Sequence, residues 1–198
     1  MAGSLAGTSP YKQWNFAVDG TVRCVNCHGD PRKLSAAAPP TAGSDLAPHT
    51  SQYRGLLIQN YRDRQLKGRY EAYAAADFAL CYVCHAEAPF LNSTYSGTNF
   101  LDHDKHVSRL ANKGVDSSTD LDKPGAGQGN AICAECHFRV HGTALAVNVG
   151  DRANPRLVNF APNVTGWNGV IEFVPMGATT SGSCTLTCHG KAHDHETY

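Results

Sequence analysis

The chain has 198 residues, 41% of them hydrophobic, and its 17 Lys and Arg balance 17 Asp and Glu to a formal net charge of zero. That neutrality leaves no electrostatic footprint for nucleic acid, and no apolar run approaches the length of a membrane span, Ala144 to Val149 being among the longest. The hydrophobic share is slightly low for a globular domain, which predicts that something besides side chains fills part of the interior.

Residues 1–23 form an arm rich in Gly, Ser and Thr, with Tyr11, Trp14 and Phe16 as its aromatics. Its start, Met1-Ala2-Gly3-Ser4, lacks the charged and apolar regions of a signal peptide. Next comes Cys24-Val25-Asn26-Cys27-His28, followed by an irregular connection through Pro31, Pro39, Pro40 and Pro48 that ends at His49. From Gln59 to Leu80 the residues Tyr61, Leu66, Tyr70, Tyr73, Phe78 and Leu80 alternate with charged ones, and the pattern predicts the longest helix of the chain. It leads into Cys81-Tyr82-Val83-Cys84-His85. A turn-rich segment then gives way to Asp102-His103-Asp104-Lys105-His106, a predicted helical turn.

Residues 116–130 are polar, with Gly125, Gly127 and Gly129 in a spacing that resembles a nucleotide loop. No strand is predicted before it, so it reads as a plain loop. Cys133-Ala134-Glu135-Cys136-His137 follows, running on to His141. Between Val147 and Val174 lie the β-leaning stretches, including Leu157, Val158, Val164, Val170, Ile171 and Phe173. The chain closes with Cys184-Thr185-Leu186-Thr187-Cys188-His189 and a tail carrying His193 and His195. Two sequons, at Asn92 and Asn163, matter only in a glycosylating host.

Four copies of one motif thus consume all eight cysteines, at 24–28, 81–85, 133–137 and 184–189. Cys-x-x-Cys-His is the attachment pattern of a c-type haem. Thiols three residues apart share one face of a helical turn, where they can form thioethers with one porphyrin, and the next residue aims an imidazole at the iron. Chance would supply about 0.02 copies at this composition. Structural zinc also uses Cys-x-x-Cys pairs, but it gives no reason for a His after each second Cys. Disulfides between the pairs explain the spacing even less well. In the fourth copy one extra residue leaves the two sulfurs one helical turn apart and still on one side. Cys24, Cys27, Cys81, Cys84, Cys133, Cys136, Cys184 and Cys188 are therefore read as covalent anchors of four haems, with His28, His85, His137 and His189 as proximal ligands.

Six histidines remain for the opposite faces of four irons: His49, His103, His106, His141, His193 and His195. Methionine competes poorly, because Met176 is the only one besides Met1. Bis-His iron is six-coordinate and sits at low potential without an axial Met, so it offers no open position and no enzymatic turnover is expected. His141 lies four residues beyond His137 and His193 four beyond His189, so each is expected on the same side as its neighbour, serving a different haem. His106, His141 and His193 rank first as distal ligands, His103 and His49 next, and His195 last. Attachment points separated by 57, 52 and 51 residues suggest haems strung out in order.

The four motifs, the run from Cys133 to Gly142, the pair His103 and His106, and the tail from Cys184 to His193 resemble multihaem cytochromes of metal-reducing microbes. In particular they are similar to the tetrahaem subunit of extracellular cytochrome nanowires, the OmcE type. The resemblance implies a single tetrahaem domain over 1–198, a multihaem cytochrome c fold that is mostly coil with a few short helices and minimal β around four closely packed haems. It implies electron transfer within a homopolymeric filament, one distal histidine being donated between subunits. His49, beyond its Pro-rich segment, is the residue assigned to that donation. Other cytochromes or extracellular metal oxides would be the redox partners, with no nucleic acid and no membrane span. Attachment of this type resembles a process outside the cytoplasmic membrane, so the chain is expected to be exported, its leader removed, to the cell surface or beyond. A monomeric periplasmic shuttle and a haem reductase with one open iron are the competing readings.

Overall fold

The structure is a computed structural model that describes residues 24–29, 51–61, 65–91, 102–109, 118–125, 127–141, 158–176 and 181–198. The arm 1–23, His49, the Asn92 sequon and Val147 to Val149 lie outside the described residues. The chain divides into two compact units, Met1–Tyr61 with Ala74–Pro89, and Arg62–Tyr73 with Phe90–Tyr198.

The first unit is built from short turns around an aliphatic pair. A 3-10 turn over Cys24–Asn26 and another over Arg54–Leu56 are joined by a two-rung antiparallel ladder. In it the Gly29 N–H donates to the Leu56 carbonyl at 3.0 Å and the Ile58 N–H to the Cys27 carbonyl at 2.9 Å. A third 3-10 turn, Ala75–Phe78, runs into helix α1, Ala79–Tyr82. Its entry is held by the Asp77 carboxylate, which accepts the Ala74 N–H at 2.8 Å and satisfies a donor that the helix start leaves orphaned. Ile58 and Val83 are fully buried against each other, with Leu80 and Cys84 packed beside them. Phe78 and Tyr82 meet edge to face at 6.3 Å. Helix α2, Ala88–Leu91, starts as this unit ends.

The long helix expected over 59–80 is absent among the described residues, and only Ala79 and Leu80 of that span are α-helical. The reason is visible locally. Tyr70 takes a left-handed φ of 67°, and the Lys67 N–H donates to the Tyr73 hydroxyl at 3.0 Å instead of to a helix carbonyl. Lys67 Nζ also donates to the Ala72 carbonyl at 2.7 Å, closing the loop. The aromatic stripe is correspondingly dispersed, with Leu66 and Phe78 buried and Tyr70 exposed.

In the second unit, helix α3 covers His103–Ser108 and helix α4 covers Cys133–Cys136. A three-stranded antiparallel sheet in the order β1-β2-β3 completes it: β1 Glu172–Met176, β2 Ser181–Cys188 and β3 Lys191–Thr197. Phe173 pairs with Cys184, and Cys188 with Lys191. The β2–β3 connection is the two-residue turn His189-Gly190, both at positive φ, 51° and 71°, the twist-matched geometry of a tight hairpin. Asn168-Gly169 makes a second such turn between Trp167 and Val170. The β-leaning reading of Phe173 and Val174 therefore holds, whereas the fourth motif, read as a turn, is a strand, and the His-rich tail forms another. Thr185, Leu186 and Thr187 suit a pleated, half-buried surface, and that local preference outweighs the helical turn expected for the motif. Leu66, Val107, Leu121, Ile132, Ala134, Val164 and Leu186 are buried in this unit. Among the described residues no helix is long and apolar enough to cross a membrane.

Candidate functional site

Three motifs adopt the same turn. The His28 N–H donates to the Cys24 carbonyl at 2.8 Å, the His85 N–H to the Cys81 carbonyl at 2.9 Å, and the His137 N–H to the Cys133 carbonyl at 2.9 Å. That i to i−4 bond puts the two cysteines of each copy on one side of a single turn. None of the eight cysteines is in a disulfide. Burial, with the neighbouring Cys24 adding to it, pushes the Cys27 thiol up.

A covalent haem requires two free thiols on one side and an imidazole whose Nε2 carries a lone pair. His28 meets this. Its Nδ1 lies 2.8 Å from the Gly55 carbonyl. A carbonyl can only accept, so Nδ1 donates to it, the arrangement in which an outer partner orients a ligand histidine. The turn shared by the first three motifs fits the group, and at His28 the ring orientation fits as well.

The fourth does not fit as arranged. Cys184 and Cys188 lie on β2, not on a helical turn, and a bulge interrupts the ladder between Cys184 and Leu186. His189 has both ring nitrogens engaged: Nδ1 donates to the Gly129 carbonyl at 2.8 Å and Nε2 to the Glu135 carboxylate at 2.7 Å. Burial works against charge on this ring, but the Glu135 charge and hydrogen bond together with the Gly129 carbonyl outweigh it, and the pKa lies above the ordinary value. Glu135 Oε2 accepts the Ile132 N–H at 2.9 Å, and Oε1 also accepts from Asn163 Nδ2 at 2.5 Å. Glu135 Oε1, the Cys188 thiol and a His189 nitrogen converge within 4.8 Å of one another. Burial pushes the Cys184 thiol up to about 12 and raises Cys136 and Cys188 as well, with the Glu135 charge contributing to both. For His189 to ligate iron it must surrender Glu135.

The distal candidates are spread unevenly. His103 and His106 sit on α3, and the His103 ring meets Phe90 edge to face at 5.0 Å. His106 donates from Nδ1 to the Asp102 carbonyl at 2.8 Å, and burial lowers its pKa. His193, on β3, is buried, and its ring centroid is 6.5 Å from that of His106. His141 is exposed. His195, ranked last, is exposed with Nδ1 2.9 Å from the Asp194 carboxylate. The helical argument that set His141 beside His137 and His193 beside His189 does not hold. Helix α4 stops at Cys136, with His137 at φ −123° and ψ 53°, and the hairpin turn separates His189 from β3.

The sequence assigned no site role to Glu135, Gly127, Gly129 or Tyr198, and read Asn163 only as a sequon. Glu135 was hidden as a variable position inside the third motif. The glycines carried a signal, since a side chain at Gly127 would come within 2.9 Å of the His189 ring. Comparison with family models, curated proteins and solved structures finds no match to this chain.

Proposed function

We propose that this chain transfers electrons through four c-type haems and performs no enzymatic reaction. Cys24 with Cys27, Cys81 with Cys84 and Cys133 with Cys136 would anchor three of them, with His28, His85 and His137 on the irons; Cys184, Cys188 and His189 would take the fourth only after β2 rearranges and His189 leaves Glu135. His49, His103, His106, His141 and His193 supply more histidines than four second faces require. Bound haem supplies the one-electron couple; the chain's residues hold it, orient the imidazoles and exclude water.

The observation that carries this reading is the shared turn, in which three separate five-residue segments present free thiols and a following histidine through the same backbone bond. A zinc knuckle needs no such repetition of the terminal histidine. By resemblance to cytochrome nanowires, the chain is proposed to be exported and to polymerise into an extracellular filament, a distal histidine passing between subunits and metal oxides or other cytochromes taking the electrons.

Pyridine haemochrome analysis of the purified full-length chain should give four haems per polypeptide, with a low-spin spectrum that carbon monoxide leaves unchanged, and micrographs should show long unbranched fibres. Fewer than four haems would overturn the cofactor reading. A high-spin component would favour a reductase, and a single-subunit mass at all concentrations would favour a shuttle.

A further inference from the structure

We propose that Tyr198 is the positioning residue of His193, holding its ring at Nδ1 and thereby setting how strongly Nε2 donates to a haem iron. The proposal rests on the tetrahaem reading above and names a residue that reading leaves unused.

The geometry arises from a break in strand register. His193 and Tyr198 are five residues apart, which in a regular strand puts them on opposite faces. Cys184 pairs with Glu196 and Leu186 with His193, so one residue of β2 faces two of β3, Asp194 and His195. His195 absorbs the extra residue at φ 51°. This bulge restores His193 and Tyr198 to a common face. The Tyr198 backbone is fixed there by its N–H donating to the Gly182 carbonyl at 2.9 Å and its carbonyl accepting the Gly182 N–H at 3.3 Å.

The hydroxyl lies 2.5 Å from His193 Nδ1, with the ring centroids 6.2 Å apart. The Glu196 carboxylate is 3.7 Å from the same nitrogen, beyond hydrogen-bond range. The ring of His106 completes a triangle with the two, 5.7 Å from Tyr198 and 6.5 Å from His193. His193 is 8% exposed.

A hydroxyl both donates and accepts. When Nε2 gives its lone pair to iron, the ring proton sits on Nδ1 and the Tyr198 oxygen accepts it. Such an outer partner raises ligand basicity, and a more basic imidazole favours ferric over ferrous iron, lowering the potential of that one haem.

The test is Tyr198→Phe in the full chain carrying its haems, read by spectroelectrochemical titration and by electron paramagnetic resonance of the oxidised form. Four haems should remain, and one of four potentials should rise by an amount equal to a two- to tenfold weaker ferric preference, tenfold being about 59 mV for one electron. One low-spin signal should change with it, or become high-spin if the ring is released. Unchanged potentials and signals in Tyr198→Phe overturn the proposal, as does a His193→Ala chain that keeps four unperturbed low-spin haems. A parent chain without four haems overturns the underlying reading and this inference together, before either variant is made.

Discussion

His189 Nε2 stands 2.7 Å from Glu135 Oε1, joining the last residue of the fourth motif to the middle of the third across 54 positions of sequence. The carboxylate is wholly buried, and it is tied from two further sides by the Ile132 N–H and the Asn163 amide. Buried charge is tolerated where every lone pair is satisfied. The pair therefore links helix α4 to the β2–β3 turn as one unit of local stability.

Glu135→Ala breaks that link from one side and strands the ring nitrogen. A loss of about 3–5 kcal/mol is expected, read from the denaturant midpoint of the chain before haem attachment. Glu135→Gln keeps an acceptor but removes the charge, and should lose about 1–3 kcal/mol. If both variants unfold at the parent's midpoint, the pair is not formed.

Gly127→Ala places a methyl group 2.9 Å from the His189 ring and 3.2 Å from its Cα, at a φ of +149°. Overpacking against a fixed ring should cost about 1–3 kcal/mol. Gly169→Ala is the matched control: its φ is +83° but nothing lies within 4 Å, so backbone strain of about 1–2 kcal/mol acts alone. Nuclear magnetic resonance of the His189 ring should move in Gly127→Ala and stay put in Gly169→Ala.

Two histidines impose opposite pH limits. Burial pushes His193 down to about 4, only partly opposed by the Glu196 charge, whereas an unfolded histidine titrates near about 6.5. The unfolded chain then binds the proton first, so stability falls as pH drops from about 6.5 towards about 4. His189 works the other way: its raised pKa gives stability that is complete below about 6.5 and lost as pH rises through the folded value. Melting temperature against pH should be bell-shaped before haem attachment. His193→Gln should remove the acid limb and Glu135→Gln the alkaline one, and a flat profile in the parent would contradict both assignments. With iron on His193 the acid limb should vanish, because the metal takes the proton's place.

Ile58→Ala opens a cavity beside Val83, both residues being fully buried, and should cost about 2–5 kcal/mol. The same backbone donates to the Cys27 carbonyl, so the haem attachment proposed at Cys24 and Cys27 should fall with it. Val83→Ala should show a smaller loss in the same direction. Mass spectrometry of haem-bearing peptides reads the first effect and denaturant titration the second.

The parts of the molecule legible in advance are those that depend on near neighbours. The helical turn at His103 to His106 and the β character of Phe173 and Val174 follow from patterns a few residues wide. The span 59–80 shows where such patterns mislead: its aromatic spacing suits a helix, but the chain passes from one unit to the other within it, and the Lys67 to Tyr73 bond closes a loop instead. The fourth motif misled for a related reason. Its cysteines were read by analogy with the other three, while Thr185, Thr187 and the His189-Gly190 turn favoured a hairpin whose pairing partners lie outside the motif.

By itself the sequence determined the local turn of three motifs, because Cys-x-x-Cys-His is a spacing, and five residues are enough to close the bond from His28 to Cys24, from His85 to Cys81 and from His137 to Cys133. Tertiary structure alone decided that Glu135 grips His189, that Gly127 makes room for that ring, and that a bulge turns Tyr198 towards His193. Those relationships depend on strand register and burial, which are set by hydrogen bonds between distant segments and leave no periodic trace in the chain.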